Sequence, residues 1–363
     1  MVRPGRRRVS AAPRVLMVGT ALDGHGGVSA VVKMLRSAGL FEREGVAYVA
    51  THADGGVLAK LGGAARGFWR ALWLCLRARP AIVHVHAASH ASFLRKSLVL
   101  LLGRLAGAHT IFHLHGGEFR GFAQGAGPLL RRWIRHTLEA SSRVIALSAA
   151  WGGFVREFAP RARVEIVPNG VPLARTDEQA PESGRILFLG RVTPAKGVDE
   201  LLQAVAGLAP HHPHLRLVLA GEGDADWAWR RAQELGIASR VELPGWLDDA
   251  ARAHQLARAW LFCLPSHAEG LPMAMLEAMA ARCPVVVSRV GGVPEALRDG
   301  IDGLLVAAHD ARALAQAIGR VLDDAGLRTR LAQAARARIE MTYSTDIVCG
   351  RLAAIYQQLA GVK

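Results

Sequence analysis

Two glutamates, Glu269 and Glu277, close the stretch E-G-L-P-M-A-M-L-E at a junction where a loop runs into a helix. Pro272 suits the first helical position, where its missing N–H is no loss. Gly270 and Leu271 precede it and place free backbone N–H groups at the positive end of the helix, a ready site for phosphate. Glu277 lies about one and a half turns into the helix, and helical side chains lean back toward the N-terminus. Two carboxylates then flank one anion pocket, which suits gripping hydroxyls on both sides of a diphosphate. The competing reading is a partly buried amphipathic helix with two incidental acids. A second set lies upstream, where the apolar run Ile186–Leu189 is followed by G-R-V-T-P-A-K-G. Arg191 and Lys196 are its two cations, on a loop at the C-terminal end of an expected parallel strand, where open α/β sheets hold ligands. A guanidinium forks onto one phosphate while an ammonium acts as a point charge on another. Solvation of both at the surface is the alternative.

Taken together, G-R-x(4)-K-G, P-S-x(2)-E-G-x-P and the second Glu eight positions on resemble the retaining, family 4 type of GT-B glycosyltransferase. Other landmarks keep the same order: Gly26-Gly27-Val28 after the first strand, H-G-G at His115–Gly117, V-P-N-G-V at Val167–Val171 and A-G-E-G at Ala220–Gly223. The resemblance implies that Arg191 and Lys196 hold the donor diphosphate and that Glu277 binds ribose hydroxyls. It implies that Glu269, with the Gly270–Leu271 backbone, binds the sugar hydroxyls, and that His115 faces the donor sugar beside the reacting carbon. By the same likeness, Gly26 and Gly27 let backbone approach the phosphate, and the Pro244-Gly245-Trp246 loop receives the base. No cofactor is implied beyond the nucleotide-diphosphate sugar, UDP- or GDP-linked, that serves as donor. The implied acceptor is a glycan, polyprenyl-diphosphate-linked or otherwise, in bacterial polysaccharide synthesis.

The elements that must position these groups read as alternating apolar runs and helical stretches. Strands are expected near Val15–Val18, Val46–Ala50, Ala81–Val85, Thr110–Leu114, Arg143–Leu147 and Val164–Val167. After the polar segment Thr176–Gly184 the pattern resumes at Ile186–Leu189, Leu215–Ala220, Arg240–Leu243, Trp260–Leu264 and Pro284–Ser288. Such alternation predicts parallel sheets, hence an α/β chain of two Rossmann-like domains facing across a cleft. We place the first domain at residues 1–175 and the second at 176–342. A last helix, about Tyr343–Leu359, resembles the one by which this GT-B family crosses back to the first domain. The stretches Thr51–Gly63 and Gly116–Gly127 read as long loops.

Charge is divided unevenly. Of the net +15, residues 1–175 carry +17 and residues 176–363 carry −2. A basic acceptor domain favours an anionic membrane surface, and Phe68-Trp69-Arg70…Trp73 and Arg131–Arg135 mix aromatic with basic residues as interfacial segments do. An ordinary Arg-rich surface is the alternative; nucleic acid is not expected, since no binding motif accompanies the charge. No run of 18 apolar residues occurs, and the basic N-terminus lacks an apolar stretch that would make it a secretory signal. The expected location is cytoplasmic, peripheral at the inner face of the bacterial plasma membrane. Cys75, Cys263, Cys283 and Cys349 are widely spaced and read as core thiols.

Metal is not expected. His84 and His86 share a strand face, as do His113 and His115, but no local ligand spacing accompanies them; His84, His86 and His113 read as satisfied histidines near a cleft wall, and His115 belongs to H-G-G. Asp224-Ala225-Asp226 reads as helix capping. Ser148 reads as a helix cap and Glu295 as a structural acid at a helix start. A sugar-nucleotide epimerase of the same fold and a non-enzymatic nucleotide-sugar-binding protein are the rival functions. A nicotinamide dehydrogenase is disfavoured because Gly24-His25-Gly26-Gly27 is not G-x-G-x-x-G.

Overall fold

The computed structural model describes residues 14–22, 24, 27–51, 57–173 and 180–361, with the backbone alone at 57–61. Two six-stranded, all-parallel sheets organise the chain. The first contains β1 (Val15–Gly19), β2 (Val46–Ala50), β3 (Ile82–Ala87), β4 (His109–Leu114), β5 (Arg143–Ala146) and β6 (Val164–Ile166), in the order β2-β1-β3-β4-β5-β6. The second contains β7 (Arg185–Leu189), β8 (Arg216–Ala220), β9 (Val241–Gly245), β10 (Leu261–Leu264), β11 (Val285–Ser288) and β12 (Leu304–Val306), in the order β12-β11-β10-β7-β8-β9. The order reverses direction beside β1 in one sheet and beside β7 in the other. This is the topological switch point at which open α/β sheets leave a crevice beyond their strand ends.

Central strands buried on both faces need apolar residues at every position rather than at alternate ones. Val15–Met17 and Ile186–Phe188 obey this, each residue fully buried. The strand β12 was not expected. The polar segment Thr176–Gly184, whose composition reads as a linker between the domains, lies outside the described residues at 176–179, as do Gly26 and residues 1–13 of the basic N-terminus.

The chain passes between the sheets twice, and the two passes lie side by side. Val171 N–H donates to Tyr343 O at 2.9 Å, and Thr345 N–H donates to Val171 O at 3.0 Å. A π-helical turn, Ile339–Tyr343, precedes the last helix, which starts at Thr345 rather than Tyr343 and runs to Leu359. That helix buries Val348, Cys349, Leu352, Ile355 and Tyr356. It packs on the first domain's helices Gly27–Ser37 and Leu40–Glu44, so the crossing back is realised. Two expected loops are corrected. Residues 57–77 form a helix, beginning within the stretch read as a loop, and Phe119–Gln124 forms a short one.

Candidate functional site

A cavity of about 1190 Å³ lies between the C-terminal edges of the two sheets. Its walls come from the loops after β1, β3 and β4 on one side and after β7, β8, β9 and β10 on the other. His115, Arg191, Lys196, Glu269, Gly270, Leu271, Glu277 and Gly27 all line it. Gly245 does not: its left-handed φ of 75° turns the chain, and Trp246 and Leu247 form the wall there instead. Pro272 caps the helix Met273–Ala280 from one position earlier than expected. Met273 and Ala274 line the cavity as well, so the first turn, whose N–H groups have no intrahelical partner, faces it.

The two charge sets meet directly. Lys196 Nζ lies 2.5 Å from Glu269 Oε1, with side chains 31% and 13% exposed. Positioning comes from the backbone: Lys196 ends a short 3₁₀ turn, Pro194–Lys196, closed by Gly197 at φ 71°. Arg191 is exposed at the cavity.

Glu277 has a partner that sequence reasoning missed. Arg252 Nε lies 3.0 Å from Glu277 Oε2, and the Arg252 guanidinium also reaches Asp249 Oδ1 at 3.0 Å. Burial raises the Glu277 carboxyl above the ordinary range; Arg252 pulls the other way, and Asp249 adds to the rise. Both Arg252 and Asp249 line the cavity.

The domains touch at the cavity floor. A Cβ on Gly117 would come within 2.7 Å of the Glu269 backbone, and one on Gly270 within 2.9 Å of His115 O. Side chains at these two positions would hold the domains apart, which gives H-G-G and E-G a packing reason. Asn169 Nδ2 donates to Leu271 O at 2.7 Å across the same seam. Glu295 is structural, as expected, but through another element. Its carboxylate accepts from Ala149 and Ala150 N–H, each at 2.5 Å, at the start of the first domain's helix Ala149–Phe158. Ser148 and Asp224 cap their own helices through Trp151 and Trp227 N–H.

The histidines form one chain. Parallel register sets His86 opposite His113 and His84 opposite Ile111, which brings all four rings to one face. Tyr356 Oη lies 2.6 Å from His84 Nδ1, His84 Nε2 lies 3.1 Å from His113 Nδ1, and His86 Nδ1 lies 2.8 Å from His115 Nε2. The expectation of satisfied rings is corrected, because His86 Nε2 and His113 Nε2 are buried with no hydrogen-bond partner among the described residues. Burial lowers all four pKa values, those of His84 and His115 to about 3 and those of His86 and His113 well below normal, with neighbouring rings adding to the fall at His86, His113 and His115. Buried Lys96 sits nearby, donates to Ser92 Oγ at 2.9 Å and is lowered to about 7, chiefly by desolvation and then by Arg95. Burial and its neighbours thus favour the neutral imidazole at His115, where it lines the cavity.

Of the aromatic–basic segments, the first is surface-borne: Trp69 and Trp73 are 65% and 59% exposed. The second is corrected. Ile134 is fully buried, and Trp133 turns inward with its Nε1 on Ser97 Oγ at 2.9 Å. All four cysteines are buried and unpaired.

Comparison with known proteins places the chain in context. Residues 174–338 match the family model described as "Glycosyl transferases group 1", and residues 14–175 match "Glycosyltransferase Family 4". A glycogen synthase of Mycobacterium tuberculosis is 32% identical over 297 residues, covering 77% of this chain and 69% of that protein. A D-inositol 3-phosphate glycosyltransferase of Mycobacterium marinum is 35% identical over 223 residues, 56% of this chain and 47% of that protein. Among solved structures, Anabaena HepE in complex with UDP and glucose superposes with a TM-score of 0.74 at 18% identity, covering 94% of this chain and 99% of that one.

Proposed function

This chain belongs to the group 1 glycosyltransferases, and from that premise we propose that it moves a sugar from a nucleoside-diphosphate sugar to a glycan acceptor with retention of configuration. The observation that carries the reading is the convergence of Arg191, Lys196, Glu269, Glu277 and a helix N-terminus on one cavity with His115 opposite. Departure of a nucleoside diphosphate builds negative charge on phosphate oxygen and positive character on the anomeric carbon. Arg191, Lys196 and the N–H groups before Met273 oppose the first, as charges and dipoles fixed before reaction. Glu269 orients Lys196 and offers its remaining oxygen to sugar hydroxyls, so it serves as a positioning group rather than a nucleophile. Glu277, buried and held by Arg252, suits ribose hydroxyls. Neutral His115 suits a hydrogen bond to the donor sugar. Attack from the face the diphosphate leaves, with that phosphate taking the acceptor proton, needs no further carboxylate. Arg191 and Lys196 supply the cationic balance that a metal ion provides elsewhere, so transfer is metal-independent in this proposal.

The donor is a UDP- or GDP-sugar; HepE, of like fold, was solved with UDP and glucose. The acceptor is lipid-linked, in bacterial polysaccharide synthesis, and is met at the inner face of the plasma membrane. This part rests on the charge of the first domain and on its exposed apolar residues. Trp69, Trp73 and Leu76 of the helix Val57–Arg77, and Leu94, Leu98 and Leu105 of the neighbouring helix His90–Leu105, are all exposed. No helix among the described residues is long and apolar enough to cross a membrane, so attachment would be peripheral.

Isothermal titration of the full chain with UDP- and GDP-sugars tests the donor assignment, with a dissociation constant of about 1 mM or tighter expected for one of them. A folded protein that binds neither would sink the proposal. Product analysis with an isolated lipid-linked sugar then reads anomeric outcome and acceptor.

A further inference from the structure

Beyond the cleft, a second group of ligating side chains sits on the outer rim of the C-terminal sheet. His267 Nε2 lies 2.9 Å from Glu200 Oε1, and His309 Nδ1 lies 3.6 Å from the same oxygen. The two imidazoles lie with ring centroids 3.7 Å apart, tilted by 36° to each other, and one ligand atom from each of the three residues falls within 4.8 Å of the others. Three separate elements supply them: Glu200 the first turn of the helix Val198–Leu208, His267 the loop after β10, and His309 the loop after β12. None of the three lines the donor cavity.

We propose that Glu200, His267 and His309 form a binding site for a borderline divalent transition-metal ion, Zn²⁺ by preference, that ties these three elements together. The donor set is two imidazoles and one carboxylate, which suits Zn²⁺; Mg²⁺ and Ca²⁺ prefer all-oxygen shells. Ligand atoms around tetrahedral zinc stand about 3.3 Å apart, given metal–ligand bonds of about 2.0–2.1 Å. The observed 2.9 and 3.6 Å from the two imidazole nitrogens to Glu200 Oε1 bracket that value, so binding requires the two rings to turn apart around a carboxylate that is already in place. His309 is 65% exposed, which leaves a path for the ion and a fourth position for water. Its backbone also holds a left-handed φ of 63°, where a side chain is disfavoured and glycine is not.

The ion would act at a distance. His267 N–H donates to Ala195 O at 3.1 Å, so the clamped loops are the two that carry Lys196 and Glu269. Zinc would stiffen that ion pair without touching the donor.

The test uses untagged, metal-stripped full-length protein titrated with Zn²⁺ and, separately, with Mg²⁺, and Co²⁺ substitution followed by its visible d–d absorption. One equivalent of Zn²⁺ should bind and raise the melting temperature, Mg²⁺ should do neither, and the stripped protein should retain sugar transfer. His309→Gly relaxes the backbone and should fold at least as well, yet weaken Zn²⁺ binding by at least about tenfold and abolish the Co²⁺ spectrum; Glu200→Gln should also lose it. The pair His211→Ala and His214→Ala, which removes other histidines of the same domain, should bind normally. Absence of a saturable Zn²⁺ site overturns the proposal. So does binding unchanged by His309→Gly, or binding lost with His211 and His214.

Discussion

Lys196 holds its charge 2.5 Å from Glu269 with the side chain still 31% exposed, so an incoming phosphate reaches a cation already aimed at it. Replacing Lys196 with Ala removes that charge and leaves Glu269, 13% exposed, without its cation, at a modest cost in stability. We expect Lys196→Ala to fold with a near-native melting temperature and to lose at least about a hundredfold in kcat, the scale of one lost transition-state contact. Near-normal turnover would remove Lys196 from the mechanism. Lys196 and Glu269 were legible because each stands next to a glycine at a strand-to-helix junction, and Glu277 because it follows Glu269 by eight positions into the helix that Pro272 opens. Arg252 was not. It lies inside A-R-A-H-Q-L-A-R, where an arginine reads as a solvated helix charge, and only the fold carries it to Glu277, 25 positions along the chain.

Among the elements, the helix Ala149–Phe158 is capped twice, by its own Ser148 and by Glu295 from the other domain. A carboxylate on two orphan N–H groups at the positive end of a helix stabilises it by about 1 kcal/mol or more, and here the same bonds join the domains. Glu295→Ala should lower the melting temperature by a few degrees and loosen the interface, read as faster amide hydrogen exchange across residues 149–158. Unchanged exchange would mean that the contact contributes nothing in solution. This role was half legible: an acid at a helix start is a sequence signal, but the helix it serves lies 145 positions away. Strands were the most legible elements, since a parallel strand buried on both faces is an unbroken apolar run. Helix starts were the least. Gly62 and Gly63 lie within the helix Val57–Arg77, and two adjacent glycines argue against helix on propensity; the surrounding packing overrides them.

At the scale of the whole molecule, charge and burial each set a condition for working. The +17 of residues 1–175 lies in the domain that exposes Trp69 and Trp73, so binding to vesicles with about 30% anionic lipid should exceed binding to neutral ones. It should fall steeply toward 0.5 M salt, where the Debye length shrinks to a few ångströms; salt-insensitive binding would refute the electrostatic account. The buried histidine chain sets an acid limit. Its rings have folded pKa values well below the unfolded value of about 6.5, so as pH falls through 6.5 the unfolded chain takes up protons that the native chain refuses until about 3. Stability therefore rises with pH in this window, each ring contributing up to about 1.4 kcal/mol per pH unit. Lys96, lowered to about 7, adds a slope of the same sign near pH 7 and above, where the unfolded lysine keeps a proton that the native one has begun to lose, and adds none well below that. Glu277, raised by burial, opposes the trend, but with one proton against several. Urea denaturation between pH 7.5 and 5 should show stability falling by several kcal/mol, and His113→Phe should reduce the slope by about one proton. A flat profile over that range would mean that the rings are hydrated and titrate in the native protein, and His115 would then present a switchable charge to the donor sugar rather than a fixed neutral ring.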